Sequence, residues 1–254
     1  MTIASSEDQF NANAGKYAGS DVHRAGPSLP VLLELAAPVA GDCALDVATG
    51  PGHTALAIAR YVKSEIGLDI APKMLEEAKR LAVEQGISNC EFVQGSAEAM
   101  PFGSGQFSLV TARHAPHHFQ CVSAFLLEVR RVMAANGRFV MADQITPSVE
   151  ILDWVNEWER MRDPSHFYQR TVDQWRSEAL KAGFRWIKDR IVPYRLEFAW
   201  WVKQSGCSKA TISELQEYAA NATALVRKSF GLEFDKTGMV KSFQEPMLLV
   251  KLEQ

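Results

Sequence analysis

Short apolar runs alternate with amphipathic stretches through the first 147 residues of the chain. Runs typical of β-strands occupy 43–48, 65–70, 90–94, 107–111 and 138–142. Apolar side chains with helical spacing fill three of the intervals, at 54–61, 72–82 and 122–133. Because neighbouring parallel strands need crossover helices, this alternation predicts an α/β fold with a parallel sheet covered by helices on both faces.

The pattern changes after Pro147. The remaining chain predicts helices at 149–161 and 171–182, short strands at 186–187 and 191–192, mainly helical structure over 200–230 and a final strand at 247–252. We find no internal repeat, linker or low-complexity segment. We therefore expect a single domain over 1–254, in which a helical insertion precedes the last strand.

Composition narrows the class of protein. The 254-residue chain is 47% hydrophobic and 22% charged, which allows a substantial core and excludes disorder as the main state. Its net charge of -3 provides no overall basic field for binding nucleic acid. No apolar run approaches the roughly 18 residues of a membrane span, and the polar N-terminus does not resemble a signal peptide. We therefore expect a soluble, cytoplasmic protein that does not bind nucleic acid.

The four cysteines are scattered along the chain without a CxxC pair. They are Cys43, Cys90, Cys121 and Cys207. This spacing favours reduced thiols over a disulfide framework or a zinc site, and we interpret all four as structural residues.

A glycine-containing turn follows the first strand, in the sequence DVATGPGHTA from Asp46 to Ala55. Two glycines at a strand-to-helix turn let a ligand approach bare backbone. Gly50-x-Gly52-x-x-Ala55 also satisfies the dinucleotide fingerprint, and Asp69 ends the next strand, where a carboxylate can accept ribose hydroxyls. Asp69 is alternatively an N-cap for the following helix. These residues alone leave NAD and adenosyl cofactors both open.

Four blocks of sequence break this tie. They are LDVATGPG at 45–52, GLDIAPKML at 67–75, GSAEAMPF at 95–102 and RRVM at 130–133. In this order they resemble the class I S-adenosylmethionine-dependent methyltransferases, and most closely the ubiquinone/menaquinone-biosynthesis type. The blocks lie between Gly41 and Asp143, nearly half of the chain.

The resemblance implies a Rossmann-like, seven-stranded, mostly parallel sheet. It also implies an N-terminal helical lid over 1–30, a cofactor-binding core over 31–147 and a C-terminal part over 148–254 with a helical cap at about 200–235. S-adenosyl-L-methionine is the cofactor that the resemblance implies, with S-adenosyl-L-homocysteine as its product.

The resemblance assigns a cofactor-binding set to the first three blocks and the fourth strand. This set comprises Asp46, Ala48, Thr49, Gly50, Gly52, Asp69, Ile70, Met74, Ser96, Ala97 and Arg113. The methionine end is assigned to Asp46 and the glycine turn, and the ribose to Asp69. Ile70 and Met74 correspond to the apolar positions on either side of the adenine, although a methionine at helical spacing is often only a core residue.

Ser96 departs from the family pattern, which usually has Asp at this position. A serine hydroxyl can still accept the adenine amino hydrogen, in a neutral hydrogen bond that is weaker by about 1 kcal/mol. The family uses the next backbone N–H, here that of Ala97, for a ring nitrogen. Arg113 resembles a position near the sulfonium.

Three histidines follow the fourth strand, where open α/β sheets bind their ligands. For His114, His117 and His118 we consider a metal site, packing of the loop, and a substrate-facing general base, because imidazole titrates near neutral pH. Metal ligation is the least favoured of these, since no carboxylate follows at useful spacing. Tyr17 and His23, in the part that resembles the lid, are further candidates for catalysis or packing.

The expected function is methyl transfer to a small or medium-sized organic acceptor, aromatic or isoprenoid in character, by in-line displacement. Tryptophans after residue 153 are expected mainly in the core, with some forming an apolar cap over the acceptor. Two alternatives stay open. One is a protein that binds S-adenosylmethionine and catalyses a non-methylating rearrangement; the other is a dinucleotide-dependent oxidoreductase, which Asp46 and the 96–102 block disfavour.

Overall fold

A computed structural model describes residues 6–254 of the chain. The described residues contain ten strands: β1 (Cys43–Val47), β2 (Ser64–Asp69), β3 (Cys90–Gln94), β4 (Phe107–Arg113), β5 (Met133–Gln144), β6 (Arg185–Val192), β7 (Arg195–Glu197), β8 (Glu233–Phe234), β9 (Val240–Gln244) and β10 (Met247–Glu253). Seven of them form a sheet in the order β3-β2-β1-β4-β5-β10-β6. Strand β10 runs antiparallel to β5 and β6, whereas the other pairings are parallel. The predicted seven-stranded, mostly parallel sheet is confirmed.

The register of the sheet brings three strand ends to one edge. Val47 of β1 lies opposite both Leu68 of β2 and Ala112 of β4. Because these strands are parallel, the residues that follow them leave the sheet side by side. The turn after β1 therefore lies between Asp69 and Arg113.

Helices cover both faces of the sheet. The described residues contain eleven: α1 (Ser6–Ala18), α2 (Asp21–Ala25), α3 (Ser28–Ala36), α4 (His53–Ala59), α5 (Pro72–Glu84), α6 (Val122–Val132), α7 (Leu152–Arg162), α8 (Val172–Lys181), α9 (Phe198–Gln204), α10 (Lys209–Ala220) and α11 (Ala224–Ser229). Leu32, Ile58 and Trp158 belong to the core on one face, and Phe125 and Trp175 to the core on the other. Successive strand residues alternate between these two cores, as the pleat requires.

The N-terminal helix α1 packs against α5. Ala14 is buried with Ala71 and Met74, and Phe10 and Tyr17 pack against this small cluster. The contact places α1 over the edge where β1, β2 and β4 end. Residues 1–5 of the predicted lid lie outside the described residues.

The C-terminal insertion differs from its prediction in one respect. Helices α9, α10 and α11 provide the expected helical structure, but a second, three-stranded sheet of order β7-β9-β8 accompanies them. These strands are two to five residues long, too short for a clear period-two pattern. Their stability comes from tertiary packing, since Phe243 of β9 lies against Trp158 and Trp201.

Candidate active site

A cavity of about 360 Å³ opens at the carboxyl edge of the sheet. It is lined by α1, by the turns after β1, β2 and β3, and by the loop after β4. Most of the predicted site residues line it: Tyr17, His23, Ala48, Thr49, Gly50, Asp69, Ile70, Met74, Ser96, Ala97, Arg113, His114 and His118. Asp46, Gly52 and His117 do not.

The turn after β1 exposes its backbone to the cavity. Ala48 and Gly50 adopt left-handed conformations, with φ of 53° and 54°. Such a conformation strains a residue other than glycine by about 1–2 kcal/mol, so the surroundings must hold Ala48 in place. A Cβ added at Gly50 would meet no atom within 4 Å among the described residues, which leaves open space for a ligand at this position.

Asp69 holds the turn in position. Its Oδ2 accepts a hydrogen bond from the Gly50 N–H at 2.7 Å, and its Oδ1 accepts one from the Ala71 N–H at 2.9 Å. The carboxyl group is buried, and burial raises its pKa. Asp69 therefore supports the residue just before α5 as well as lining the cavity. Each carboxyl oxygen has a second lone pair, so further hydrogen bonds to a ligand remain available.

Asp46 lies behind the turn and does not line the cavity, and its expected contact with the cofactor stays a prediction. Its two oxygens accept hydrogen bonds from the hydroxyls of Thr49 and Thr111, both at 2.7 Å. Burial raises its pKa to about 6. Asp46 is still part of β1, and its register partner on β4 is Thr111, so the two side chains share one face of the sheet. It positions Thr49, which does line the cavity.

Gly52 is closely packed by neighbouring elements. Its φ is 84°, and an added Cβ would lie 3.1 Å from Ala78 Cβ and 3.2 Å from Phe92 Cε1. The missing side chain thus allows α4 to pack close to α5 and β3, and the assignment of Gly52 to cofactor binding stays a prediction.

The third and fourth sequence blocks meet in space. Glu128 accepts the Met100 N–H at 2.7 Å, and Arg131 donates to the carbonyls of Met100 and Phe102 at 3.1 and 2.6 Å. These bonds hold the 96–102 turn at the cavity. In that turn the Ser96 hydroxyl accepts a hydrogen bond from the Glu98 N–H at 3.1 Å. Ser96 also lines the cavity, so its hydroxyl can form a further hydrogen bond with a ligand.

Arg113 connects the sheet to the N-terminal helices. Its guanidinium donates to Thr54 Oγ1 at 2.9 Å, to Ser28 Oγ at 3.2 Å and to the carbonyl of His23. All three partners are neutral, and burial lowers the pKa of Arg113. Since five N–H groups are available on a guanidinium, this side chain can also donate to a ligand in the cavity.

A second cavity of about 70 Å³ adjoins the first. The two share Phe10, Tyr17, His23, His114 and His118 as lining residues. These five residues form the junction of the cavities. At the junction the rings of Tyr17 and His23 are 4.9 Å apart, and those of His23 and His114 are 5.4 Å apart.

Three of the junction side chains, those of Tyr17, His23 and His114, are kept from ionising by their surroundings. Burial lowers the pKa of His23 to about 3 and lowers that of His114 well below its usual range. Burial also raises the pKa of the Tyr17 hydroxyl. His118 Nδ1 lies 3.0 Å from the carbonyl of Ser165. At neutral pH, Tyr17, His23 and His114 are therefore uncharged.

His117 differs from the other histidines because it has a carboxylate partner. Its Nδ1 lies 2.7 Å from Asp143 Oδ1, and both side chains are buried. Burial lowers the pKa of His117 and raises that of Asp143 to about 8. The pair lines the second cavity through His117. The sequence analysis did not select Asp143, although it lies near the carboxyl end of β5, beside β4.

The sequence analysis also missed other lining residues, which mostly adjoin the motifs. They are Ser6, Glu7, Phe10, Pro51, His53, Thr54, Gly95, Glu98, Ala115, Phe119 and Gln120. His53 is one of the six histidines of the chain, and its Nε2 lies 3.2 Å from the carbonyl of Tyr17 in α1.

Within residues 6–254, no group of three or more His, Cys, Asp or Glu side chains is placed to hold a metal ion. In the same part of the chain, no helix is long and apolar enough to cross a membrane.

Comparisons with known proteins agree with this geometry. A family model described as a methyltransferase domain matches residues 45–141. The uncharacterized methyltransferase YcgJ of Bacillus subtilis (strain 168) is 32% identical over 248 residues, which cover 96% of this chain and 97% of the relative. The crystal structure of the B. subtilis YcgJ protein has a TM-score of 0.83 and 31% identity, covering 89% of this chain and 97% of that chain.

Two further proteins resemble the chain to different extents. The ubiquinone/menaquinone biosynthesis C-methyltransferase UbiE of Marinomonas sp. (strain MWYL1) is 34% identical over 120 residues, which cover 46% of this chain and 48% of the relative. The cyclase SpnF is 15% identical, with a TM-score of 0.66 over 93% of this chain and 84% of that chain. At this identity the likeness to SpnF is one of fold alone.

Proposed function

Because the chain belongs to the class I S-adenosylmethionine-dependent methyltransferases, we propose that it methylates a carbon, oxygen or nitrogen atom of a small or medium-sized organic acceptor, aromatic or isoprenoid in character. The observation that carries this proposal is the pair of joined cavities. The larger one has the volume of a small-molecule site and an exposed glycine turn, and the smaller one opens onto it.

The larger cavity has polar walls that suit the ribose and methionine parts of the cofactor and apolar walls that suit the adenine. In this proposal the Asp69 carboxylate would accept the ribose hydroxyls, and the backbone from Ala48 to Gly50, which lines the same cavity, would hold the methionine end. Ile70 and Met74 provide apolar surface for the adenine, beside the turn of Ser96 and Ala97. When bound, S-adenosylmethionine supplies an electrophilic methyl group on a sulfonium.

The junction residues would align the acceptor and exclude water. Methyl transfer is an in-line displacement, so its rate depends mainly on holding the two reactants in line in a dry site. Phe10 and Tyr17 of α1 close the junction from the lid side, while His23 and His114 close it from α2 and the end of β4. Arg113 ties these elements together.

We assign the general base to His117, among the candidates Tyr17, His23, His114, His117 and His118. A base held by a hydrogen bond to a carboxylate has a fixed ring orientation, and His117 has this partner in Asp143. When His117 Nδ1–H donates to ionised Asp143, Nε2 carries a free lone pair that can accept the acceptor's proton. Among the described residues, neither His114 nor His23, which share the wall, has a carboxylate partner.

The single domain would have three functional parts. Residues 1–30 would form the lid, 31–147 the cofactor-binding core, and 148–254 the part that completes the acceptor site. Tyr194, Trp200 and Trp201 of the last part line the second cavity, as expected for an apolar cap.

A labelled-methyl assay tests the proposed function. Protein is incubated with S-adenosylmethionine labelled in the methyl group and with demethylmenaquinone analogues, simple phenols or amines. We expect label in the organic product and one equivalent of S-adenosylhomocysteine. Conversion of the acceptor without label transfer would instead indicate the rearrangement chemistry, and tighter binding of NADH than of S-adenosylhomocysteine would contradict the cofactor assignment.

A further inference from the structure

The deep end of the second cavity carries hydrogen-bond acceptors that lack partners. Gln204 Oε1 and Glu245 Oε1 are buried atoms with no hydrogen-bond partner among the described residues, and both residues line this cavity. Glu245 as a whole is only 6% exposed. An unsatisfied buried polar atom costs about 1–3 kcal/mol, so two of them beside one cavity need an explanation.

The position of Glu245 is fixed by its backbone. Its N–H donates to the carbonyl of Tyr194 at 2.7 Å, and the next carbonyl, of Pro246, accepts the Ile145 N–H at 2.9 Å. Burial and a hydrogen bond with Glu159 raise the pKa of the Glu245 carboxyl well above its usual range. A neutral Glu245 carboxyl can donate its proton to Glu159 through one oxygen and still accept a hydrogen bond from a ligand through the other.

Arg162, a cation that lines the same cavity, is already engaged. Arg162 donates to Glu159 Oε2 through Nε and Nη2 at 3.1 and 2.9 Å, and to Ser205 Oγ at 2.7 Å. Its guanidinium also lies over the ring of Trp201, 4.9 Å from the centroid. Arg162 thus balances the Glu159 charge and leaves Gln204 and Glu245 Oε1 unsatisfied.

Gln204 and Glu245 line the second cavity but not the first, whereas the junction residues line both. The unpartnered oxygens therefore lie on the side away from the cofactor cavity. The volume of about 70 Å³ is small compared with the 360 Å³ of the first cavity, so only a small polar part of the acceptor lies there. Trp200 and Tyr194 add aromatic surface beside it.

We propose that the second cavity is a head-group subsite of the methyl acceptor, and that Gln204 and Glu245 select acceptors with a hydroxyl or amine donor in addition to the group that His117 deprotonates. This inference rests on the proposed function for the direction of the acceptor. A site built to hydrogen-bond such a donor rejects the analogue that lacks it, because its buried acceptors then stay unpaired.

Binding of three probes of matched shape tests the subsite. Phenol offers an O–H donor, aniline an N–H donor, and toluene neither. Each is titrated into protein saturated with S-adenosylhomocysteine, and the Kd is taken from the indole N–H signals of Trp200 and Trp201 in NMR spectra. We expect phenol or aniline to bind at least tenfold more tightly than toluene, and the better of the two identifies the donor.

Two substitutions test whether the preference for a hydrogen-bond donor depends on Gln204 Oε1 and Glu245 Oε1. In Glu245→Leu and Gln204→Leu the donor preference should fall to less than threefold, whereas Glu214→Leu, at an exposed position of α10, should retain it. If Glu245→Leu does not fold, Gln204→Leu, at a half-buried residue, still decides the question. Equal binding of toluene, a preference that survives both substitutions, or no binding of any probe would overturn the proposal.

The outcome is separable from that of the proposed function. Saturation with S-adenosylhomocysteine is measured first in the same sample. If this ligand fails to bind, the proposed function fails, while the preference among the three probes can still be measured in the protein alone.

Discussion

The two cavities differ in the parts of the protein that form their walls. The larger one is formed mainly by backbone turns after β1, β2 and β3, held by a few side chains such as Asp69 and Arg131. The smaller one is formed by side chains from distant elements, including α2, α7, α9 and the loop before β10. This difference indicates that the cofactor half depends on strand order and turn geometry. The acceptor half depends on individual side chains that can change without altering the turns.

Substitution of His117 should have the largest effect and should affect the acceptor half alone. We expect His117→Gln to lower turnover about 10²–10⁴-fold with S-adenosylhomocysteine affinity almost unchanged, because it removes the base but no wall of the cofactor cavity. Steady-state kinetics and calorimetry measure the two quantities. His114→Gln is the matched control, with a smaller loss; near-normal turnover in His117→Gln would contradict the assignment.

The pH dependence of turnover sharpens the same prediction. The pKa of Asp143 is raised to about 8, so the His117–Asp143 pair loses its proton as the pH rises through that value. The form with a free Nε2 lone pair therefore increases with pH, and turnover at saturating substrate should rise through about pH 8. Asp143→Asn should remove this rise. A rise centred instead at pH 6–7, unchanged by Asp143→Asn, would indicate another base.

Two glycines of the same turn should separate packing from ligand binding. Gly52→Ala should lower the free energy of unfolding by about 2–4 kcal/mol, because the new Cβ meets Ala78 and Phe92 at a positive φ. In Gly50→Ala the new Cβ meets no described atom, so the free energy of unfolding should fall by only about 1–2 kcal/mol. Relative to this loss of stability, the affinity for S-adenosylhomocysteine should fall by more in Gly50→Ala than in Gly52→Ala. Chemical denaturation and calorimetry on both variants provide the comparison. The reverse ranking would show that Gly52, not Gly50, faces the ligand.

Asp69→Ala should weaken S-adenosylhomocysteine binding by about 1.5–3 kcal/mol, the range for hydrogen bonds to a charged group. Part of this loss would come from the Gly50 and Ala71 N–H groups that Asp69 now holds. Calorimetry measures the affinity, and Asp173→Ala, on the exposed side of α8, is the control. Unchanged affinity would leave Asp69 with a role in the turn only.

Glu65 provides the smallest expected effect and a contrast with Glu245. Both are buried carboxyls with unpartnered oxygens, but Glu65 lines neither cavity. Burial raises its pKa well above the usual range, so the wild type loses stability as the pH rises above about 4.3, where the unfolded side chain ionises. Glu65→Leu should therefore increase the free energy of unfolding by about 1–2 kcal/mol at pH 8 and by less at pH 5.

Denaturant titrations at the two pH values measure this difference, with Glu65→Gln as the polar control that should gain little. Binding of S-adenosylhomocysteine should not change in either variant. A Glu65→Leu variant that is less stable at both pH values would show that the carboxyl has a partner or a packing role.

The contrast between the cavities also explains which features could be predicted from the sequence. The turns at 48–52, 69–71 and 95–98 are contiguous segments with specific residue types, so the pattern indicates both their conformation and their place at the sheet edge. The hydrogen bonds of the Asp46 side chain depend on the packing of β1 against β4, and the close contacts around Gly52 depend on the packing of α4 against α5. A linear pattern does not specify these contacts.

The second cavity was beyond prediction for a related reason. Asp143, Gln204 and Glu245 come from separate elements, and no fixed spacing connects them with His117. Strands β7, β8 and β9 are likewise short segments that become strands through their packing against aromatic side chains such as Phe243 and Trp201. Tertiary contacts of this kind leave little periodic signal in the sequence.

A crystal structure of the protein with S-adenosylhomocysteine tests the division between the cavities most directly. We predict that the ligand occupies the cavity of about 360 Å³, with its ribose hydroxyls within hydrogen-bond distance of Asp69, and that the space lined by Gln204 and Glu245 stays free of it. A ligand bound in the smaller cavity, or one that makes no contact with Asp69, would contradict the account.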